Sequence, residues 1–327
     1  MQSHPPDDGA PSPFHAGEQA LQARVGKRDG MERIGRRAIR PFMPEQHRTF
    51  FGQLPFLAVG SVDGDGWPWA SILAGAPGFI GSPDPATLTV AAQPFADDPL
   101  GQILRPGAPL GLLGIELATR RRNRANGRVT AAEESGFALT VDQSFGNCPK
   151  YIQTRQIEPP GAASQTSSGA AERFTALDAA AEAGIAKADT LFVASAAPAA
   201  AGSPETHGVD VSHRGGRPGF VKRAGATLTI PDYPGNSFYN TFGNFLLNPK
   251  AGLLFPDFAT GDLLLLTGTV ALDWDPDADV QAHAGAERSW RFTLDHGLRL
   301  PGALPFRAAF DAFSPHSLAM GEWPRRG

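Results

Sequence analysis

Cysteine is nearly absent: Cys148 is the only one in 327 residues, which excludes an intramolecular disulfide framework and a four-cysteine zinc site. Long apolar runs are missing too. No stretch approaches the roughly 20 residues a bilayer-spanning helix needs, and the polar, proline-rich start from Met1 through Pro11 lacks the apolar core of a secretory signal. Charged residues make up only 19%, with a formal balance of −4; this argues against a general nucleic-acid binder while leaving room for local basic patches. There is no G-x-x-x-x-G-K-[ST] phosphate loop, no G-x-S-x-G elbow and no H-E-x-x-H pair. The eight histidines are scattered. His283 and Glu287 lie one helical turn apart without further ligands, so both are expected at the surface and no metal site is expected. What is plentiful is glycine and proline, 38 and 30 residues, which favours turns and short elements over long helical bundles. With 41% hydrophobic residues a packed core is expected. The starting expectation is a soluble, cytoplasmic, two-domain protein with no membrane or nucleic-acid partner.

The chain reads as one unit written twice. The first copy opens with a helical stretch at Pro44–Gly52, then strands at Phe56–Val62, Trp67–Ala74 and Thr87–Ala92. Asp98-Pro99 caps a short helix through Leu104, and Pro109–Leu117 leads into Arg120–Thr130. In the second copy a helix is expected over Ala171–Lys187, with Phe174, Leu177, Ala181 and Ile185 on one face. Strands follow at Leu191–Ala196, Gly219–Arg223 and Thr227–Pro231. Asn236 is placed to cap a helix whose stripe is Phe238, Phe242, Phe245 and Leu246, before Ala251–Phe255 and Leu263–Leu272. Leu88 matches Leu228, Gly111 matches Gly252 and Gly127 matches Gly268, at offsets of 140, 141 and 141 residues. Any two β-rich domains share turn chemistry, but three ordered matches in the same element types favour a duplication.

Four regions result: an N-terminal extension over 1–43, a first copy over 44–157, a Pro/Gly/Ala/Ser-rich linker over 158–170, and a second copy with a C-terminal extension over 171–327. Short, turn-bounded strands predict a mainly β (α+β) fold. Each copy is expected to curl into a barrel that closes its own edges. The pair would pack as a pseudo-dimer with short flanking helices, and a groove between packed units is where small molecules tend to bind. The segment Ala196–His207 is expected to be a hairpin excursion or mobile loop.

Three stretches carry chemistry. Thr119–Arg128 holds five arginines; as a strand it projects Arg120, Arg122 and Arg124 to one face, with Arg121 and Asn123 on the other. Such a strand serves either as a charged edge or as an anion site. Its counterpart, Asp262–Leu266, is apolar. Asp210–Lys222 places Ser212, His213, Arg214, Arg217 and Lys222 around Gly215-Gly216, whose freedom in φ admits a close ligand; a plain polar hairpin turn is the other reading. Gln143–Arg155 offers Asn147 as the cap of a helix starting near Pro149, and Cys148, which is more simply a small buried side chain than a nucleophile. Asn236, Asn240, Thr241 and Asn244 gather at a helix start that suits an anion, although capping alone explains Asn236. Trp67, Trp69, Trp274 and Trp290 are expected in the core or at the domain interface.

Taken together, D-V-S-H-R-G-G-x-P-G-F-V, T-L-T-I-P-D-x-x-G-N and N-P-x-A-G-L-L-F resemble the pyridoxamine 5′-phosphate oxidase-like FMN-binding split-barrel family. Arg124-Ala125-Asn126-Gly127-Arg128 resembles that family's R-x-N-G-R strand, and Asn147-Cys148-Pro149-Lys150 its C-P-K segment. The likeness covers roughly residues 45–155 and 190–275. The chain departs from the family in splitting its motifs between copies: Trp67–Ser71 stands where the glycine turn belongs, and Thr267-Gly268 replaces Asn-Gly. The resemblance therefore implies one intact FMN site per chain, built across both halves, with a degenerate twin. It implies Arg124, Arg128, Arg214 and Lys222 as phosphate or ring-edge donors, and Thr229, Ile230, Asp232, Asn236 and Thr241 along the ring and ribityl chain. Asn126, Cys148, Lys150, Ser212, His213 and Gly215 complete the implied cofactor site, with no catalytic residue identified. It further implies an FMN-dependent oxidoreductase acting on a small molecule, with a nicotinamide or ferredoxin-type electron donor, as a monomeric pseudo-dimer or a homodimer. Vitamin B6 oxidation is disfavoured, because no second phosphate site is evident. The alternative is a non-catalytic protein that binds or senses flavin, haem or another small ligand.

Overall fold

The computed structural model describes residues 11–158, 169–198, 208–274, 280, 281 and 283–323. Two helices lead, α1 (Ala16–Arg24) and α2 (Arg28–Ala38), followed by α3 (Glu45–Gly52). The first sheet comprises β1 (Phe56–Val62), β2 (Pro68–Ala74), β3 (Ile80–Gly81), β4 (Thr87–Val90), β5 (Pro109–Glu116), β6 (Arg121–Glu133) and β7 (Gly136–Gly146), with α4 (Leu100–Ile103) before β5. A strand β8 (Thr154–Glu158), a strand β9 (Glu172–Phe174) and helix α5 (Ala179–Lys187) come next. The second sheet follows as β10 (Thr190–Ala197), β11 (Gly208–Gly215), β12 (Lys222–Ala224), β13 (Thr227–Asp232), then α6 (Asn240–Leu247), β14 (Lys250–Pro256), β15 (Leu263–Asp273) and β16 (Arg288–Leu300). The chain ends with β17 (Arg307–Ala312) and α7 (Pro315–Leu318).

The two antiparallel sheets have one strand order: β2-β1-β5-β6-β7-β4-β3 and β11-β10-β14-β15-β16-β13-β12. Even their irregularity agrees, since β6 is bulged at Asn126/Gly127 and β15 at Thr267/Gly268. The apolar runs of β1 and β10 are buried on both faces. Leu57 and Val59 enter the core of the first half, and Leu191 and Val193 that of the second. Between them, Phe56, Ala58, Phe192 and Ala194 meet in a third core along the seam. Alternation thus distributes one strand between two hydrophobic layers.

The sheets do not close on themselves, contrary to the expected barrels. Each ends on β2 or β11, and these edges are covered by the opposite half: β2 lies against β10 and β14, β11 against β1 and β5. The approach is close enough to require glycine. A Cβ on Gly111 would fall 2.6 Å from Val209 O, and one on Gly252 would fall 2.4 Å from Pro68 O. We expect Gly252→Ala to cost about 1–3 kcal/mol, as overpacking does. Chemical denaturation of that variant with an unshifted midpoint would mean that the seam is looser than described.

Several local expectations change. Ala171–Lys187 is not one helix: Phe174 lies in β9, paired with Gly297 of β16, and α5 starts after Asp178, whose side chain accepts from Ala181 N. No helix follows Asn147; residues 147–153 form an irregular turn. Gly215 ends β11 and the positive φ falls at Gly219 rather than at Gly215-Gly216. α6 begins at Asn240 behind Tyr239, and Asn236 instead accepts from Phe238 N in the preceding turn. His283 is buried rather than exposed. Most of the linker expectation (159–168) and of the Ala196–His207 loop (199–207) lies outside the described residues. No helix among the described residues is long and apolar enough to cross a membrane.

Candidate functional site

The bulged strand β6 and the edge strand β11 meet across the seam, and a cleft opens where they meet. Arg122 and Arg124 share a face because they are two residues apart on a strand, while Arg121 turns the other way, over the Phe50 ring. The two like-facing arginines have different tasks. Arg124 is 2% exposed and fully engaged across the seam: Nη1 donates to Asp210 Oδ1 at 2.7 Å, and Nη2 to Val211 O at 2.9 Å and to Ser212 Oγ. Asp210 also accepts from Asn126 Nδ2 at 2.7 Å and Asn244 Nδ2 at 2.8 Å. α1 completes this network: His15 Nε2 meets Asn244 Oδ1 at 2.9 Å, and Asn240 donates to Glu18. Burial, and then Asp210, push Glu18 well above the usual carboxylate range.

Arg122 faces the cleft. Its Nε donates to Cys148 O at 2.5 Å and its Nη1 to His213 O at 3.3 Å, which ties the 147–151 turn to β11. That turn crosses so close to β11 that a Cβ on Gly215 would lie 2.1 Å from Tyr151 O. The opposite wall is the stretch between β13 and α6. Arg214 Nη1 donates to Asp232 at 2.9 Å, Thr241 Oγ1 to Ser212 Oγ at 3.1 Å, and Tyr151 OH to Pro234 O at 3.1 Å.

Positive charge dominates the inner end. Burial, reinforced by Arg124 and Arg214, lowers Arg122 to about 10, so it stays charged at neutral pH while lacking a carboxylate partner among the described ion pairs. Burial first, and then Arg122, Arg155 and Arg214, hold His213 well below its ordinary value, hence neutral. Burial raises Asp232 against the pull of Arg214 and Arg288, and raises Tyr151 to about 12. Four buried polar atoms or rings here have no protein partner: Asn147 Oδ1, both ring nitrogens of His213, and Arg214 Nε. Buried polar atoms without partners are unusual, and these suit a ligand bearing both donors and acceptors. The enclosed part of the cleft is about 120 Å³, and about 990 Å³ is reached with its open mouth. That shape suits a small anionic group held inside and a larger body lying in the mouth.

Ten of the fifteen implied residues line the cleft: Arg124, Cys148, Lys150, Ser212, His213, Arg214, Gly215, Asp232, Asn236 and Thr241. Five do not. Asn126 serves Asp210 at the seam. Arg128 lies past the bulge, 3.5 Å from Asp142. Lys222 stands over the Trp323 ring. Thr229 is paired between Lys222 and Arg291 within the sheet, and Ile230 is fully buried in the second core. Arg124 lines the cleft as a clasp rather than as an unengaged donor. The implied set omitted Arg122, Asn147, Tyr151, Tyr233, Tyr239 and Glu287; of these, only Arg122 had a signal in the sequence, its spacing from Arg124.

The pseudo-equivalent place on the other seam is filled. At the offset of 141 residues, Leu263 and Leu265 replace Arg122 and Arg124, and Ile72 replaces His213. These join Leu304, Phe306 and Ala308 of the C-terminal segment in the seam core. Ser71, the counterpart of Ser212, donates to the buried Asp98 at 2.6 Å, which burial lifts to about 6.

No family model matches the chain, and no curated protein matches it. Among solved structures, a candidate pyridoxamine 5′-phosphate oxidase from Lactobacillus delbrueckii is similar at 15% identity and a TM-score of 0.26, covering 32% of this chain and 95% of its own. A FAD-binding protein from Mesorhizobium loti is similar at 12% identity and a TM-score of 0.24, over 40% of this chain and 97% of its own. The inhibitor of motility from Bacillus subtilis is similar at 11% identity and a TM-score of 0.22, over 75% of this chain and 88% of its own.

Proposed function

We propose that the seam cleft binds flavin mononucleotide and that the protein is an FMN-dependent oxidoreductase of the pyridoxamine 5′-phosphate oxidase-like kind, with one site per chain. The observation that supports this most is the inner end of the cleft, where Arg122, Arg214 and Lys150 converge beside a neutral histidine with both nitrogens unsatisfied. Guanidinium groups suit a phosphate by charge and donor geometry. Arg122 and Lys150 would hold the phosphate, Arg214 and Asn147 the polar edge of the ligand, and Tyr151, Tyr233 and Tyr239 the apolar wall of the mouth. His213, kept neutral by its surroundings, presents one donor and one acceptor to whatever lies against it. The bound cofactor would supply the redox chemistry; the chain binds it, orients it and shields it from water. A small-molecule substrate would enter through the open mouth, with a nicotinamide or ferredoxin-type donor supplying electrons.

The test compares riboflavin 5′-phosphate with riboflavin by equilibrium fluorescence titration. A charge-assisted hydrogen bond is worth about 1.5–3 kcal/mol, so the phosphorylated form should bind at least about tenfold more tightly. Equal affinity for both removes the phosphate assignment. Absence of binding by either removes the flavin. Reduction of the bound flavin by a nicotinamide or a reduced ferredoxin then separates an enzyme from a binder that never turns over.

A further inference from the structure

Four rings lead away from the cleft and have no task in ligand binding beyond forming a wall. Tyr151 and Tyr233 both line it, with centroids 5.0 Å apart. Tyr233 lies nearly parallel to His283, 5.8 Å away at 18°, and its hydroxyl meets His283 Nε2 at 2.9 Å. Beyond His283 stands Trp323, 4.6 Å away between centroids. Its indole N–H is anchored on Phe220 O at 2.7 Å. Tyr233 and His283 are buried, whereas Trp323 is only partly so. The series begins in the cleft and ends at solvent.

Tyrosine and tryptophan are the side chains that give up one electron most readily. A phenol loses an electron far more easily when its proton can leave at the same time, which requires a base on the hydroxyl. His283 occupies that position. Burial, with Arg217 adding to it, holds the imidazole below its ordinary value and therefore neutral, while the Glu322 backbone pulls the other way. Burial also keeps the proton on Tyr233 until an electron departs.

We propose that Tyr151, Tyr233, His283 and Trp323 form a path for one-electron transfer between the cleft and the protein surface. The inference rests on the flavin reading for its oxidant in the cleft, a photoexcited oxidised flavin. That oxidant takes one electron from Tyr233, directly or through Tyr151; the Tyr233 O–H bond breaks, and the proton passes to His283 Nε2. Trp323 then gives one electron to the phenoxyl radical as the proton returns from His283 to the Tyr233 oxygen. Ascorbate in solution refills Trp323. In sum, one electron passes from ascorbate to the cleft, and every protein group returns to its starting state.

The chain has three tyrosines, and all three line the cleft, so a tyrosyl signal reports on this site alone. Binding of riboflavin 5′-phosphate is measured first, and its failure overturns the flavin reading without touching the path. The loaded protein is then flashed, and the tyrosyl radical is followed by transient absorption and electron paramagnetic resonance. Its decay should accelerate with ascorbate in the unmodified protein and lose that dependence in Trp323→Phe, with flavin affinity unchanged. Retained ascorbate dependence in Trp323→Phe overturns the path. Without flavin, flash-generated tris(bipyridine)ruthenium(III) in solution oxidises the surface end instead. A tyrosyl radical should then appear and be lost in Trp323→Phe. A signal that persists in that variant, carried past Trp274 to Tyr239 for instance, overturns the proposal, as does no signal in the unmodified protein.

Discussion

Arg124→Ala is expected to remove about 3–5 kcal/mol of folding stability, the cost of leaving a buried charge without its partner. The arginine is 2% exposed and joins β6 of one half to Asp210, Val211 and Ser212 of the other. Without it, the Asp210 carboxylate keeps only the amides of Asn126 and Asn244, with the buried Glu18 nearby. Removing the acid as well, in Arg124→Met with Asp210→Leu, should recover much of the loss, because a paired apolar replacement leaves no orphaned charge. Urea denaturation checks both variants. A loss in the range of an exposed pair, about 0–1 kcal/mol, would show that the clasp is solvated and not what holds this seam.

The second large effect concerns affinity rather than folding. Arg122→Gln should weaken riboflavin 5′-phosphate binding by about tenfold to a hundredfold, the equivalent of one lost charge-assisted contact. The affinity for unphosphorylated riboflavin should stay the same. Folding should be little changed or improved, since burial and two neighbouring guanidiniums already disfavour the charge at this position. If the variant binds the phosphate and non-phosphate forms as before, the anion sits elsewhere in the cleft, and Lys150 becomes the group to replace.

The repetition of elements was legible because offsets in glycine and leucine survive where backbone geometry requires them, as Gly111 and Gly252 show at the two seams. Mainly β architecture with short helices, and most strand bounds, followed from apolar runs and turn residues. Closure was not legible. Whether a sheet end curls onto itself or is covered by a neighbour depends on long-range packing, and the run FLAVGSV is consistent with either. Within the cleft, chain-local motifs placed His213, Arg214 and Lys150 correctly relative to one another, but period-two counting failed past the bulge at Asn126/Gly127, which takes Arg128 to Asp142. Ile230 was misplaced because its strand has one face in the core. The tyrosine wall left no trace in spacing, since Tyr151, Tyr233 and Tyr239 come from turns whose course is set by tertiary contacts.

In an assembly of two identical subunits, every substitution is made twice, so a leucine that improves one contact destroys its mirror image. Here Leu263 and Leu265 are encoded separately from Arg122 and Arg124. Hydrophobic gain at one junction therefore costs nothing at the other. The arrangement also makes cohesion of the halves independent of dilution, because their encounter is intramolecular. Asymmetry of this kind is accessible to a joined polypeptide and closed to a homodimer.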